Sequence, residues 1–569
     1  MTTSASCNSV GPRVPLARLS SFLCFVLFLS LGLAHSSAAD ATGCVIVERQ
    51  GKVEIARKGS ADWAVADTNA VLQIGDRLRT GLRARATLRW SELAVIRVKE
   101  LTSMEIQPPA KEGAKPEMEL KSGATYFFSR EKPESIEFRT PVASGAIRGT
   151  EFNLAVAEDG STELALLNGA VDLANAQGST TLASGEQGTV KPGQAPTKAP
   201  LLNAINVIQW VLYYPQVVTP EDLGLSEVEK KTFADSLAAY NAGDLTGALE
   251  KYPQGLSNTS DATHSYHATV LLSVGNVEWC EAELKSVSAN SAVARALREL
   301  IAAVKGGKLE NLTAPTTASE WMARSYYEQA HGRLAEALAA AKSAVAQSPK
   351  FGSAHIRVAD LEFSFGRTEA AQAALQQGLA LAPRNAQGFA LRGYLLSAQN
   401  QNDAALDAFN QAIALDGSLG NAWLGRGLVK IRESFRLFSI DRGGAAAGIQ
   451  DLQVAATLEP QRAALRSYLG KAFADNHDFK RAHKELGLAQ QLDPNDPTSW
   501  LYSSLLNYQD NRNNAAVSDL EKSKSLNDNR SVFRSEFLLD QDQAVRGANL
   551  ATIYRDVGLQ DISVQEAAR

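Results

Sequence analysis

His264 and His267 are the closest histidine pair in this 569-residue chain, and a spacing of three puts both imidazoles on one helix face, as half of a zinc site requires. No third ligand stands beside them, so they read as ordinary helix residues and no metal is expected. Gly443-Gly444-Ala445-Ala446-Ala447-Gly448 is glycine-rich but lacks the Gly-Lys-Ser/Thr ending that cradles phosphate, and reads as a loop entering a helix. Neither His-Glu-x-x-His nor Gly-x-Ser-x-Gly occurs. A glycoside hydrolase needs two carboxylates on a shaped cleft, which helical repeats seldom supply. The expectation is therefore no enzyme and no cofactor. The one concentration of like charge is Arg77, Arg79, Arg83, Arg85, Arg89, Arg97 and Lys99, which could take an acidic ligand but is expected to be a solvated sheet face. A net charge of −5 over the whole chain gives no footprint for nucleic acid.

The elements that must carry these residues declare themselves by period. Pro349, Pro383, Gly417, Pro460, Pro494 and Asp528 end successive units, each 34 residues long except one of 43. A period of this size marks stacked supersecondary units and points to binding. Each unit opens on a large residue, Trp321, Phe389, Trp423 or Trp500, with His355 and Arg466 as exceptions. Small residues follow four positions on, at Ser325, Ala359, Gly393, Gly427, Gly470 and Ser504, where a second helix must cross closely. The second helix answers with Ala337, Ala371, Ala405, Gly448, Ala482 and Ala516, and the prolines stop it.

LRSYLGKAFADNHDFKRAHKELGLAQQLDP at Leu465–Pro494 resembles a tetratricopeptide repeat, and the resemblance holds in register over Ala318–Asp528. Arg324, Arg392 and Arg426 depart from its usual larger residues. Phe233–Pro253 and Ser265–Lys285 read as two degenerate copies, since a solenoid needs neighbours to stack on. The resemblance implies a concave face of first helices where partners lie. By register that face holds Tyr326, Asp360, Phe363, Tyr394, Lys471, Asp475, Leu501 and Tyr508, aromatic anchors with scattered charge that suit a peptide or extended protein segment. The repeats that grip a C-terminal carboxylate carry Lys and Asn where this chain has Met322, Ile356, Ala390 and Leu501, so that mode is not expected. The nine extra residues of the fourth unit fall near 432–442, and Phe435, Leu437, Phe438 and Ile440 are expected to pack on the solenoid.

Upstream the period changes to two. Arg83, Arg85, Thr87 and Arg89 alternate with Ala84, Ala86, Leu88 and Trp90, and Phe152, Leu154 and Val156 face Leu164 and Leu166 across a turn, so Val45 to about Val190 is an all-β domain of short strands. Its order of motifs, GKVEIARKG, then LKSGA, then FRTPVASGAIRGTEF at Phe138–Phe152, then ALLNGAVDL and LASGEQGTV, resembles the FecR domain. That resemblance implies a bacterial, extracytoplasmic β-roll or solenoid-like module, best known from regulators that receive a signal at the outer membrane. The most recognisable residues, Arg148, Gly149, Thr150 and Phe152, read as structural. Gly149 permits a tight corner, Thr150 can cap it, and Arg148 ties it to a carbonyl or carboxylate.

Arg13 and Arg18, the apolar run Phe22–Leu33 and Ser37-Ala38-Ala39 have the layout of a cleaved secretory signal, with Asp40 as the new N-terminus. Once it is removed, Cys44 and Cys280 remain, too far apart in domain terms for a disulfide framework. The expected order is a signal peptide (1–39), a FecR-like β domain (40–191), a Pro-rich linker (192–200), a docking helix with degenerate helical repeats (201–312), tetratricopeptide repeats (313–530) and an incomplete further repeat (531–569). The open last repeat is read as the mark of a longer protein or of an array completed by something else. The fold class is multidomain, an all-β FecR-like domain followed by an all-α solenoid. The expected function is a non-enzymatic exported scaffold, periplasmic or outer-membrane associated, that binds protein, peptide or glycan and has no integral span in the mature chain. The alternatives are a transmembrane signal receiver that keeps Phe22–Leu33 as an anchor, and an envelope enzyme with an unrecognised cleft.

Overall fold

The computed structural model describes residues 44–108, 117–131, 136–147, 149–202, 204–256, 260–436 and 442–527, with Arg555 and Ser563 beyond them. The expected leader, Arg148, the apolar side chains of the fourth unit's insertion and the incomplete last repeat lie outside these residues. All the described residues belong to one compact unit.

The first part is built of strands β1 (Cys44–Gln50), β2 (Val53–Ala56), β3 (Ala64–Val65), β4 (Val71–Leu72), β5 (Arg77–Thr80), β6 (Arg85–Ser91), β7 (Ala94–Val98), β8 (Ser103–Gln107) and β9 (Glu117–Ser129). It continues with β10 (Ile136–Arg139), β11 (Ser144–Ile147), β12 (Glu151–Val156), β13 (Thr162–Asn168), β14 (Ala170–Asn175), β15 (Gly178–Ala183), β16 (Glu186–Val190) and β17 (Thr197–Pro200). They form two layers that share the long strand β9. One layer runs β4-β1-β6-β7-β9-β12-β13-β16-β17. The other runs β3-β2-β5-β8-β9-β10-β11-β14-β15, with β9 and β10 parallel at Phe138↔Met118.

Gly123 is where β9 passes between the layers. Its φ is +88°, and a Cβ there would lie 2.5 Å from Thr102 Cα, so the left-handed bend and the close approach both demand glycine. Inner faces meet through Phe152, which stacks on Phe127 at 5.2 Å and meets Phe138 of the other layer at 5.6 Å. The expected hairpin is present, with Phe152↔Leu166 and Leu154↔Leu164 opposed. The Pro-rich segment differs from its reading as a linker, because Thr197–Pro200 pairs with β16 and extends the first layer.

Period two predicts one buried and one wet face, yet β7 is buried at all five positions and Tyr126, Phe127 and Phe128 of β9 are all buried. A strand covered on both faces reads as a continuous apolar run. The cover is the helical part.

That part has two short helix pairs, Ala234–Asn241 with Leu245–Glu250 and Asp261–Ser273 with Val277–Glu283, where the degenerate copies are expected. Ala292–Val304 follows, then six regular pairs whose first helices begin at Ala318, Gly352, Ala386, Gly420, Ala463 and Pro497. Small residues mark the crossings. A Cβ on Gly427 would lie 2.8 Å from Gly448 O, and one on Gly448 would lie 2.7 Å from Gly427 O. Buried Ala337, Ala371, Ala405, Ala482 and Ala516 mark the others. Side-chain caps at Thr317, Asn385, Asp478 and Asp496 take up amides that the first turn of a helix leaves unpaired.

Of the described residues in 201–218, where the docking helix is expected, only Ala204–Ile208 are helical. Beyond it the segment buries side chains on two sides. Trp210 and Val211 join the cluster of Val95, Tyr126 and Phe128, whereas Leu212, Tyr214, Val217 and Val218 join the core of the first helices. The chain turns at 209–211 and changes the side it covers at Leu212, and Pro215 could not donate inside a helix. Among the described residues, no helix is long and apolar enough to cross a membrane.

Candidate functional site: the junction of sheet and repeats

The cations expected on one solvated face are divided among three places. Arg77 and Arg79 lie on the second layer and bracket Trp63, at 5.2 and 4.2 Å from its ring, with Arg79 paired to Glu54 at 2.8 Å. Arg83 sits in the turn before β6. Arg85 and Arg89 reach from the first layer to the repeats and Arg97 to Val211 in the segment before them, which corrects the reading of a wet face. Arg85 donates to Gln50 Oε1 (2.5 Å) and to Ser418 Oγ (3.4 Å), and Arg89 donates to Gln450 Oε1 (2.9 Å). Arg97 is fully buried and donates to Val211 O at 3.1 Å, while its Nε and Nη2 have no partner. Burial, and secondarily the charge of Arg85, pulls Arg97 down to about 10.

At the other end of the layer stands an ionic node that sequence spacing does not show. Arg130 and Glu151 come from the sheet domain and Arg466 and Glu485 from the fifth repeat pair, and every side chain is at most 5% exposed. Arg130 bridges Glu151 and Glu485. Arg466 bridges Glu151 at 2.5 Å and Glu485 at 3.3 Å. Each arginine therefore holds one carboxylate of its own module and one of the other. Tyr126 donates to Glu151 Oε2 at 2.9 Å, and Phe128 lies under both guanidiniums, at 4.4 and 5.2 Å. Burial would raise the Glu151 carboxyl, but Arg466 and Arg130 more than offset this and hold it well below the usual carboxylate range.

The node is braced by backbone contacts. Arg481 Nε donates to Arg130 O at 2.7 Å, and Lys484 Nζ donates to Gly149 O at 2.6 Å. Burial, with Arg130 nearby, pulls Lys484 down to about 8. Gly149 has φ +64°, as its corner requires. The expected cap is corrected: Thr150 Oγ1 is buried without a partner, and the corner is held through backbone bonds, including Ser129 N–H to Thr150 O at 2.9 Å. Phe152 is in the inner core.

Around this polar node the contact is apolar. Val47, Val95, Tyr126 and Phe128 share one cluster with Trp210, Val211, Trp423, Leu452, Val454 and Leu465. Directional ion pairs inside an apolar seam fix register, and the seam supplies the area.

The eight residues predicted for a partner groove do not form one surface. Tyr326, Asp360 and Tyr394 line a cavity of about 40 Å³ together with Arg357, Gln387 and Asn421. Arg357 lies over the Tyr326 ring at 4.0 Å and is paired with Asp360 at 2.8 Å. Tyr394 is buried, meets Phe409 edge-on at 5.0 Å and donates to Asn421 O at 2.8 Å. Phe363 and Leu501 are buried in separate helix-packing clusters. Lys471 and Asp475 pair with each other at 2.5 Å, and Tyr508 packs beside Leu501.

His264 and His267 turn out to share Glu283, whose two oxygens meet their Nδ1 atoms at 2.6 and 2.7 Å. Among the described residues, no group of three or more His, Cys, Asp or Glu is arranged to hold a metal ion. Cys44 and Cys280 are free, and burial pushes both thiols well above their ordinary value.

Residues 76–172 match the FecR protein family and residues 329–393 match a tetratricopeptide repeat family, so the chain carries both domains. These are regulatory and protein-interaction types, not enzyme families. The solved structures similar to it include the anaphase-promoting-complex hetero-tetramer Cut9-Hcn1, at 12% identity and a TM-score of 0.39, covering 59% of this chain and 72% of that one. A thermophilic tetratricopeptide-repeat protein from Thermus thermophilus matches at 16% identity and 0.29, covering 31% of this chain and 91% of that one. A putative anti-sigma factor from Parabacteroides distasonis matches at 19% identity and 0.21, covering 25% and 68%. No curated protein sequence matches.

Proposed function

We propose that this chain, a FecR domain joined to tetratricopeptide repeats, is an exported non-enzymatic adaptor that binds a protein partner in the bacterial envelope through the first helices of its repeats. The observation that carries this reading is a division of labour along the solenoid. The FecR domain docks through Gln450, Arg466, Arg481, Lys484 and Glu485. The cavity of Tyr326, Asp360, Gln387 and Asn421 lies on the first helices of the first four regular pairs, with the fourth pair meeting the FecR domain through Gln450 on its second helix. A peptide passing over it would meet two amides and the Arg357–Asp360 pair that covers the Tyr326 ring, which suits recognition of a polar, uncharged side chain within an extended segment.

The test is capture of partners from envelope extracts by the full chain and by a Gln387→Arg variant, which leaves the buried Arg357–Asp360 pair intact. Partners held by the unmodified chain should be lost from the variant, with its thermal unfolding unchanged. Equal capture by both chains removes the groove from the proposal. Tyr394 is unsuited to this test, since its packing on Phe409 makes Tyr394→Ala a stability variant.

Export rests on the layout of residues 1–39. N-terminal sequencing of the envelope-associated product should read from Asp40. An intact Phe22–Leu33 segment would instead support the second reading, favoured by the FecR match, of a membrane-anchored signal receiver.

A further inference from the structure

The end of the junction away from the ionic node is made by two turns instead of a sheet face. Arg83 has φ +59° and Leu101 has φ +52°, left-handed conformations uncommon for residues other than glycine. The turns brace one another: the Arg83 amide donates to Glu100 Oε2 at 2.6 Å and the Leu101 amide to Gly81 O at 3.2 Å. Three contacts reach from this brace to the repeats. Trp279 Nε1 donates to Glu100 Oε1 at 3.1 Å, Lys99 pairs with Glu278 at 3.3 Å, and Arg83 Nη2 stands 3.1 Å from His267 Nε2.

The last contact fixes a protonation state. A guanidinium can only donate, so His267 Nε2 accepts and the ring proton is on Nδ1, which donates to Glu283 Oε1 at 2.7 Å. Four groups face this imidazole. Arg83 comes from the sheet domain, Glu283 from the next helix, and His264 from its own helix across the shared Glu283. Tyr252 stacks on it with ring centroids 4.4 Å apart.

We infer that His267 is an acid-sensitive latch that holds the Arg83 turn of the FecR domain against the degenerate repeats when neutral and releases it when protonated. A proton on Nε2 replaces an accepted hydrogen bond with two opposed N–H groups and sets a second positive charge beside Arg83. The sign follows from the surroundings. Burial lowers the His267 proton affinity, and Glu283 opposes this without cancelling it, so the net shift is downward from the ordinary 6.5. A released ring would take a proton at about pH 6.5 before the latched ring does. The latch is thus at full strength above about pH 6.5 and weakens as pH falls, by at most about tenfold per pH unit until the latched ring itself protonates. At the far end Glu151 stays ionised throughout this range, so the release is local.

Hydrogen-exchange mass spectrometry on the full chain tests this through protection factors for peptides covering 80–102 and 276–284 at pH 7.5 and 5.5. Protection in the unmodified chain should fall at least threefold at pH 5.5. His267→Gln should abolish that step, because its amide can still accept from Arg83 and donate to Glu283 but cannot take the proton. His264→Gln should keep the step. Arg83→Leu, with the latch already open, should show low protection at both values, which serves as a second test should His267→Gln misfold. Equal protection of the unmodified chain at both pH values overturns the inference. So does a step of undiminished size in either His267→Gln or Arg83→Leu, or its loss in His264→Gln.

Discussion

Glu485→Ala is the sharpest test of the junction. Glu485 is fully buried and is shared by Arg130 and Arg466, which are themselves at most 2% exposed. In the intact node two guanidiniums face two carboxylates. The substitution leaves both guanidiniums on Glu151 alone, so one positive charge is stranded where water does not reach. Removing one partner from a buried pair costs about 3–5 kcal/mol, because the remaining charge keeps its desolvation penalty. At about 1.4 kcal/mol per tenfold, the upper half of that range is roughly a thousandfold in the docking equilibrium. Trp210 and Trp423 lie in the same seam, so the fluorescence-detected urea transition that unpacks it should move to lower urea in Glu485→Ala. Arg130→Met together with Glu485→Ala removes a charge of each sign and leaves Glu151 with Arg466. The double variant should recover at least about 2 kcal/mol, since whole buried pairs are replaceable by apolar residues at little cost. A loss under about 1 kcal/mol in the single variant would refute the stranded-charge argument. So would a double variant no more stable than the single one.

Two further substitutions separate strain, clash and orphaned charge. Gly123→Ala should cost at least about 2 kcal/mol in thermal unfolding, from the left-handed φ plus a Cβ pressed on Thr102. Gly185→Ala, at φ +82° with nothing within 4 Å, should cost only about 1 kcal/mol from the backbone alone. Arg97→Met should lie within about 1 kcal/mol of the unmodified chain or stabilise it, because the two partnerless nitrogens of Arg97 already carry an uncompensated burial cost. A melting-temperature loss as large as that of Glu485→Ala would show that Arg97 is satisfied by something other than Val211 O.

Local pattern made both modules legible. The 34-residue spacing locates every regular helix pair, and period two locates the Phe152–Leu166 hairpin and the inward face of β6. What covers the outward face is not local. Arg89 meets Gln450, 361 residues away, and Arg130 meets Glu485, 355 residues away, so an alternating strand looks wet until its partner is known. Two features of the sequence pointed to the cover. Tyr126-Phe127-Phe128 and Ala94-Val95-Ile96 are apolar without alternation, which a one-sided sheet does not need. Arg466 also stands where most units open on a large, mainly aromatic residue, and it is the arginine that reaches Glu151. The groove register failed for Phe363 and Leu501 because an aromatic or leucine on a first helix serves equally well as packing for the next pair.

The junction also explains why a seam rich in apolar residues contains charges at all. Val47, Val95, Tyr126 and Phe128 could slide along Val454, Leu465 and Leu469 with little change in buried area, since hydrophobic contact is not directional. A shift of one strand position would bring Arg130 to an apolar neighbour and leave both Glu151 and Glu485 short of a donor. Each carboxylate would keep the arginine of its own module, Glu151 with Arg130 and Glu485 with Arg466, but lose its buried donor from the other module, a charge-assisted bond that apolar contact does not replace. The node thus selects one docking register among several that the apolar seam would tolerate. It follows that the four-residue apolar replacement of the node should dock tightly yet give heterogeneous cross-links between β9 and the fifth repeat pair, where the unmodified chain gives one set.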